Sequence, residues 1–67
     1  MENRIKELRG PAGLTQQDLA DRVGVSRQTI NAIETSKYAP SLEVAFRIAR
    51  ALGTPIDRVF VCTFGGR

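Results

Sequence analysis

Apolar residues recur along this chain at the three- and four-residue spacing that is typical of amphipathic helices. The most regular stripe consists of Leu42, Ala45, Ile48, Ala49 and Leu52. Ser41 stands directly before it, where a hydroxyl can cap a helix, and Gly53 stands directly after it, where helices commonly end. The pattern predicts a helix over residues 42–52, with Leu42 on its buried face.

Three shorter helices are predicted before this one. The first runs from about Glu2 to Arg9, and Gly10 and Pro11 are expected to end it, because proline removes a backbone donor. Residues 15–18 resemble a capping box, which predicts a second helix that ends at Gly24. Ser26 is the expected cap of a third helix that continues to about residue 34.

The segment after Gly53 changes character. Pro55 suits the start of a short fifth helix, and residues 59–64 are rich in β-branched and aromatic types, which predicts a strand. A lone strand leaves its backbone groups unpaired, so it pairs with the N-terminus, with a partner chain, or with nothing until the protein dimerises. The sequence leaves these three alternatives open.

Composition narrows the class of protein. A chain of 67 residues with a net charge of +3 holds one domain, residues 1–67, and mildly favours a polyanionic partner. It has no histidine and one cysteine, so neither a metal site, an intrachain disulfide nor an enzyme is expected, and no cofactor is implied. The charged N-terminus lacks a signal peptide, and no membrane span is present, so a cytoplasmic protein is expected.

Residues 16–35 have the pattern of two short helices joined by a sharp turn. Ala20 is small where the helices must cross, and Gly24 supplies the positive φ that the turn requires. Ile30 and Ile33 then define the buried side of the third helix, so that its opposite face is free. This arrangement predicts a helix-turn-helix whose second helix enters the major groove of DNA.

The free face of that helix is short, polar and without acidic side chains. Gln28 can pair with adenine, Arg27 with guanine or a phosphate, and Asn31 with adenine or the backbone. The predicted base contacts are Ser26, Arg27, Gln28, Asn31 and Ala32. Residues at helix N-termini and in the following loop are predicted to contact phosphates, namely Gln16, Gln17, Thr35, Lys37, Tyr38 and Ser41.

This pattern resembles the Xre family of Cro/repressor-type helix-turn-helix proteins, in particular its one-domain members. The resemblance covers residues 5–60 and rests on 14–16, 19–20, 23–26, Ile30, 33–34 and 40–42. It implies an all-α, five-helix, lambda-repressor-like DNA-binding domain with a short C-terminal β-strand. It also implies an ion pair between Arg9 and Glu34, and helical geometry agrees, since Glu34 lies beside the buried direction of its helix. Two departures are Gly10-Pro11, where the family helix continues, and Thr35-Ser36, where an Asn-Gly type pair is common.

The C-terminal segment, residues 54–64, is predicted to form a dimer. One helix-turn-helix covers a half-site too short to be specific, and so small a chain cannot bury all the apolar residues of this segment. The expected interface residues are Ile56, Val59, Val61, Cys62 and Phe64. A two-fold axis there predicts binding to a palindromic operator.

The sequence therefore predicts a transcriptional regulator and favours a repressor. The predicted partners are double-stranded DNA and a second copy of the chain. An alternative is an antitoxin-type protein-interaction module that also binds DNA. No membrane partner is expected, and no small-molecule ligand is evident, since no further domain is present to hold one.

Overall fold

Five helices and one two-stranded sheet follow each other in a computed structural model, which describes residues 2–61. The elements are β1 (Glu2–Asn3), α1 (Ile5–Ala12), α2 (Gln16–Val23), α3 (Arg27–Glu34), α4 (Leu42–Leu52), α5 (Ile56–Val59) and β2 (Phe60–Val61). The predicted five-helix fold is confirmed, and the strand near the C-terminal end is present.

Local hydrogen bonds fix where the middle helices begin. The Thr15 hydroxyl accepts from the Asp18 N–H at 3.0 Å, and the Asp18 carboxylate accepts from the Thr15 N–H at 3.0 Å, which completes the predicted capping box of α2. Ser26 accepts from the N–H of Thr29 at 3.1 Å, and Ser41 caps α4 in the same way. These helices begin where the sequence predicted because each cap is satisfied within three residues.

The prediction for the first helix was wrong at both ends. Residues 2–3 form a strand, and α1 begins at Ile5 and continues through Gly10 and Pro11 to Ala12. Pro11 lies in the last turn, where its missing N–H costs one intrahelical bond. Termination is supplied by Gly13, at φ 71°, while the next N–H, that of Leu14, donates to the Arg9 carbonyl at 3.0 Å.

The strand β2 pairs with β1 in antiparallel register, with Glu2 opposite Val61 and Asn3 opposite Phe60. Of the three alternatives for the C-terminal strand, the structure contains pairing with the N-terminal segment. The strand is shorter at its start than predicted, because Val59 is the last residue of α5. The rest of the predicted strand, residues 62–64, lies outside the described residues.

All five helices contribute to one apolar core. Its fully covered members include Ile5, Leu19, Ile30, Ile33, Ile48, Val23 and Val59. Leu42 was predicted to join them but is 71% exposed, because it lies in the first turn of α4, at the edge of the stripe that its helix buries. Over residues 2–61, no helix is long and apolar enough to cross a membrane, and no cluster of metal-ligating side chains occurs.

Candidate nucleic-acid interface

The crossing of α2 and α3 depends on two small residues. Ala20 is fully buried, and its carbonyl accepts from the N–H groups of Gly24 and Val25 at 2.8 and 3.1 Å. Gly24 has φ 85°, and a Cβ at this position would meet only the Arg47 side chain, at 3.5 Å. Backbone conformation, rather than lack of space, therefore requires glycine at the turn.

One face of α3 is buried and the opposite face is exposed. Ile30 and Ile33 are 0% and 1% exposed, whereas Arg27, Gln28 and Asn31 are exposed. Ala32 is half-buried, and the Ser26 hydroxyl is exposed but already engaged in capping. The helix thus offers amide and guanidinium groups to solvent, and these are the groups that pair with base edges in a major groove.

The only acidic side chain of α3, Glu34, is almost completely buried beside this exposed face. Arg9 Nε donates to Glu34 Oε2 at 2.7 Å, and Arg9 Nη2 donates to Glu34 Oε1 at 3.3 Å. The side chains of Arg9 and Glu34 are 16% and 6% exposed. The pair is therefore bidentate and largely removed from water, which neutralises a carboxylate that would otherwise repel phosphate.

Gln16 connects the first turn of α2 to α3. Its Nε2 donates to Asn31 Oδ1 and to Glu34 Oε1, each at 3.1 Å. A residue predicted to contact phosphate and one predicted to contact a base are thereby hydrogen-bonded to each other. Because the Asn31 side-chain oxygen accepts from Gln16, the NH₂ group of Asn31 faces away from Gln16. Its two N–H donors therefore remain available to a ligand.

The other predicted phosphate contacts surround α3 and differ in how far they are engaged within the protein. Lys37 and Tyr38 are exposed, with Tyr38 at 55%. Gln17 donates to Asp21 at 2.9 Å, and the Thr35 hydroxyl donates to the Asn31 carbonyl at 2.9 Å. The remaining member, Ser41, is exposed and caps α4 through its hydroxyl oxygen, which leaves the hydroxyl hydrogen free to donate to a phosphate.

The capping box of α2 lowers the pKa of Asp18, an exposed carboxyl group beside this surface. The backbone and side chain of Thr15 donate to the Asp18 carboxylate and hold the pKa of that carboxyl below its ordinary value, while Arg22 lowers it further. Asp18 therefore stays charged at neutral pH at the N-terminal end of α2, where the helix dipole favours a negative charge. Its exposed carboxylate sets a limit on how closely a phosphate can approach this end of α2.

The predicted dimer residues divide into three groups. Ile56 and Val61 are half-buried, and each therefore keeps an exposed part for a contact. Val59 is 0% exposed, so its prediction as an interface residue needs correction: the core covers it completely. The other two, Cys62 and Phe64, lie outside the described residues.

Sequence reasoning missed two exposed apolar residues of α4. Leu42 and Phe46 are 71% and 53% exposed and lie four residues apart, on one side of the helix. Leu42 also lines an open groove with Pro40, Ala45, Ile56, Asp57, Phe60 and Val61, of which Asp57 is the one charged residue. The available signal was the number of apolar residues in α4, which exceeds what one buried face accommodates.

The chain is similar in sequence and in fold to several known proteins. A helix-turn-helix family model matches residues 5–59. An uncharacterized HTH-type transcriptional regulator of Methanocaldococcus jannaschii is 52% identical over 61 residues, covering 91% of this chain and 92% of that protein. The immunity repressor protein of Bacillus phage phi105 is 38% identical over 56 residues, which are 84% of this chain and 39% of that protein.

A solved structure gives the same result for the fold. The restriction-modification controller protein C.AhdI of Aeromonas hydrophila superposes with a TM-score of 0.78 at 32% identity, over 85% of this chain and 86% of that one.

Proposed function

This chain belongs to the helix-turn-helix family of transcriptional regulators, and we propose that it binds a palindromic operator as a homodimer. In this proposal α3 enters the major groove, and residues 1–67 act as one domain with a dimerisation surface near residues 54–64. The partners are double-stranded DNA and a second copy of the chain, in the cytoplasm.

The observation that carries the proposal is the separation of charge on α3. Its exposed face holds Arg27, Gln28 and Asn31, while its one carboxylate is turned inward to Arg9. Gln28 suits adenine N6 and N7, and Arg27 suits guanine O6 and N7. Asn31 supplies a second amide, Ala32 a methyl group for thymine, and Ser26 a hydroxyl at the start of the helix.

Phosphate contacts on either side would fix the position of α3 in the groove. Gln16 and Gln17 lie in the first turn of α2, where backbone N–H groups and the helix dipole attract anions. Thr35, Lys37, Tyr38 and Ser41 lie on the opposite side, in the segment between α3 and α4. Contacts of this kind set register and supply affinity without selecting sequence.

The dimer surface that we propose combines the remaining predicted residues with the exposed side of α4. Ile56 and Val61 retain exposed apolar area, and Leu42 and Phe46 extend this area along α4. An apolar surface of this kind on a small domain is typical of an interface. Two copies related by a two-fold axis would present their α3 helices about 34–36 Å apart, one turn of DNA.

We favour repression as the outcome of binding. A phage immunity repressor is among the relatives, although this chain spans only 39% of its length. A domain of this size blocks polymerase by occupying its site on DNA, and it requires no second module to do so.

Selection of bound sequences from random duplex DNA tests the proposal directly. We expect enrichment of two inverted half-sites with centres about 10 base pairs apart. The matched control is a triple variant with alanine at Arg27, Gln28 and Asn31, which removes exposed side chains only and should enrich nothing. Absence of enrichment for the wild type contradicts sequence-specific binding. A single half-site contradicts only the dimer.

A further inference from the structure

We propose that Asn3 is a positioning residue for DNA binding, one that fastens the C-terminal end of α3 to the β1–β2 sheet. The inference rests on the proposed function and deepens it. In this proposal, a residue outside the helix-turn-helix holds α3 in the position from which it contacts bases. The same residue connects α3 to the segment proposed to dimerise.

The side chain of Asn3 is engaged at both of its polar atoms. Its Nδ2 donates to the Ile33 carbonyl at 2.8 Å, and its Oδ1 accepts from the Ile5 N–H at 3.2 Å. Its own position is fixed by the sheet, in which Asn3 is opposite Phe60, and by the bond of 2.8 Å from the Arg4 N–H to the Val59 carbonyl. One half-buried residue thus joins the start of α1, the end of α3 and the strand β2.

The end of α3 is closed by its own backbone hydrogen bonds, including one of 2.9 Å from the Lys37 N–H to the Ala32 carbonyl, and Asn3 attaches this end to another element. The helix is eight residues long, and no glycine follows it: Thr35 caps it, and Ser36 then has φ 62°. Its last-turn carbonyl, that of Ile33, accepts from the Ser36 N–H at 3.1 Å as well as from Asn3. The Arg9–Glu34 pair holds a side chain of this turn, whereas Asn3 holds its backbone and thereby limits rotation and sliding of the whole helix.

Such movements would matter because base contacts tolerate only about 0.5 Å of displacement. Thr35 and Lys37, both proposed to contact phosphate, directly follow the anchored turn. On the other side, Asn3 is hydrogen-bonded through its strand to β2, next to Val61 of the proposed dimer surface.

The test compares Asn3→Ala and Asn3→Asp with a matched control. Asp keeps the acceptor for Ile5 but loses the donor to the Ile33 carbonyl, so both variants free α3. Arg47→Lys is the control, since it keeps the charge but removes the guanidinium that donates to the Val23 carbonyl at 3.2 Å, a side-chain bond from α4 to the end of α2. Operator and random duplex are titrated by fluorescence anisotropy at a temperature at which circular dichroism shows every variant folded, and amide exchange is followed in parallel.

Both Asn3 variants should bind the operator about tenfold more weakly, with little change on random duplex, while Arg47→Lys binds as the wild type. Amide exchange of Thr35, Ser36 and Lys37 should accelerate in the Asn3 variants and remain unchanged in α2. Equal binding by Asn3→Ala and wild type, or equal exchange, overturns the positioning role. If the wild type binds no duplex at all, the proposed function fails instead, and exchange alone decides whether Asn3 holds α3.

Discussion

Glu34 illustrates how a single residue serves both the fold and the proposed DNA surface. Its two carboxylate oxygens accept from Arg9, and Oε1 also accepts from Gln16, so three donors converge on a side chain that is 6% exposed. A carboxylate in this position is stable only while its partners remain, because the protein interior does not solvate it. The same arrangement keeps negative charge off the exposed face of α3.

Arg9→Ala should therefore destabilise the protein by about 3 kcal/mol, a large part of the roughly 3–10 kcal/mol expected for 67 residues. Urea unfolding followed by circular dichroism measures this change. The control is Glu43→Ala, which removes the exposed Glu43–Arg47 pair, with side chains 73% and 54% exposed, and should cost less than about 1 kcal/mol. Equal destabilisation by the two variants would mean that burial of the Arg9 pair has no consequence.

For Gln28, a base contact and a phosphate contact predict different effects of substitution on binding to the operator and to random duplex. It is exposed on the first turns of α3, opposite Ile30 and Ile33. Gln28→Ala should lose about 1–3 kcal/mol of binding free energy on the selected operator and almost none on random duplex. Competition titrations with both duplexes give the two values. A loss of the same size on both would identify a backbone contact.

At the scale of single elements, the sequence correctly predicted where three helices begin but not where α1 begins and ends. The starts of α2, α3 and α4 were predicted correctly, because each cap depends on residues three positions apart. The end of α1 was not, since Pro11 was taken to stop a helix that Gly13 ends two residues later. Pro11 costs the helix one hydrogen bond, and the sequence alone does not show how far the adjacent packing offsets this loss.

Pairing of β1 with β2 could not be predicted for a different reason. The two strands are separated by all five helices, so no local pattern specifies the partner or the register. The same holds for Leu42, whose exposure depends on where α5 and β2 end beside α4. For the candidate site, the exposed face of α3 follows from helical periodicity, whereas the Gln16–Asn31 bond and the attachment of Asn3 require the folded arrangement.

The capping box of α2 should make part of the stability depend on pH. The pKa of Asp18 is lowered in the folded protein, so its contribution is fully present above the ordinary carboxyl value, near pH 4. It is lost as the pH falls from there through the folded value, because the unfolded chain then binds more protons. Asp18→Asn removes this contribution, so the difference in unfolding free energy between wild type and variant should shrink below about pH 4.

Urea unfolding at a series of pH values measures that difference, and NMR titration of the Asp18 carboxyl gives its pKa directly. Thr15→Ala should move this pKa part of the way back toward its ordinary value, since the backbone N–H of residue 15 still donates to the carboxylate. A difference between wild type and Asp18→Asn that is constant from pH 7 to the acid limit would contradict the assignment.

At the scale of the whole molecule, the proposed dimer should cover apolar side chains that each copy alone leaves exposed to water. Phe46 is 53% exposed and lies outside the core, so Phe46→Lys should leave the monomer folded and weaken dimerisation by about tenfold or more. Ile56→Asp should weaken dimerisation as well, although its packing against the core will also lower the thermal midpoint. Lys6→Asp, an exposed change on α1, is the control.

Sedimentation velocity at micromolar concentration separates the species. A wild type that remains monomeric would refute the dimer, and a Phe46→Lys variant that dimerises like the wild type would move the interface away from α4. Because DNA binding and dimerisation are linked, the weaker dimer should also show a steeper dependence of operator binding on protein concentration.

The β1–β2 sheet has a consequence for biosynthesis. The ribosome makes β1 first and β2 only after every helix, and at about 5–20 residues per second this leaves β1 unpaired for several seconds. The strand that carries Asn3 has no partner until residue 61 has been added. A nascent chain that ends after α3 but before β2 contains the whole helix-turn-helix and still lacks the β1–β2 sheet. Such truncated products of translation thus lack the strand pairing that joins the two ends of the described chain, from Glu2 to Val61.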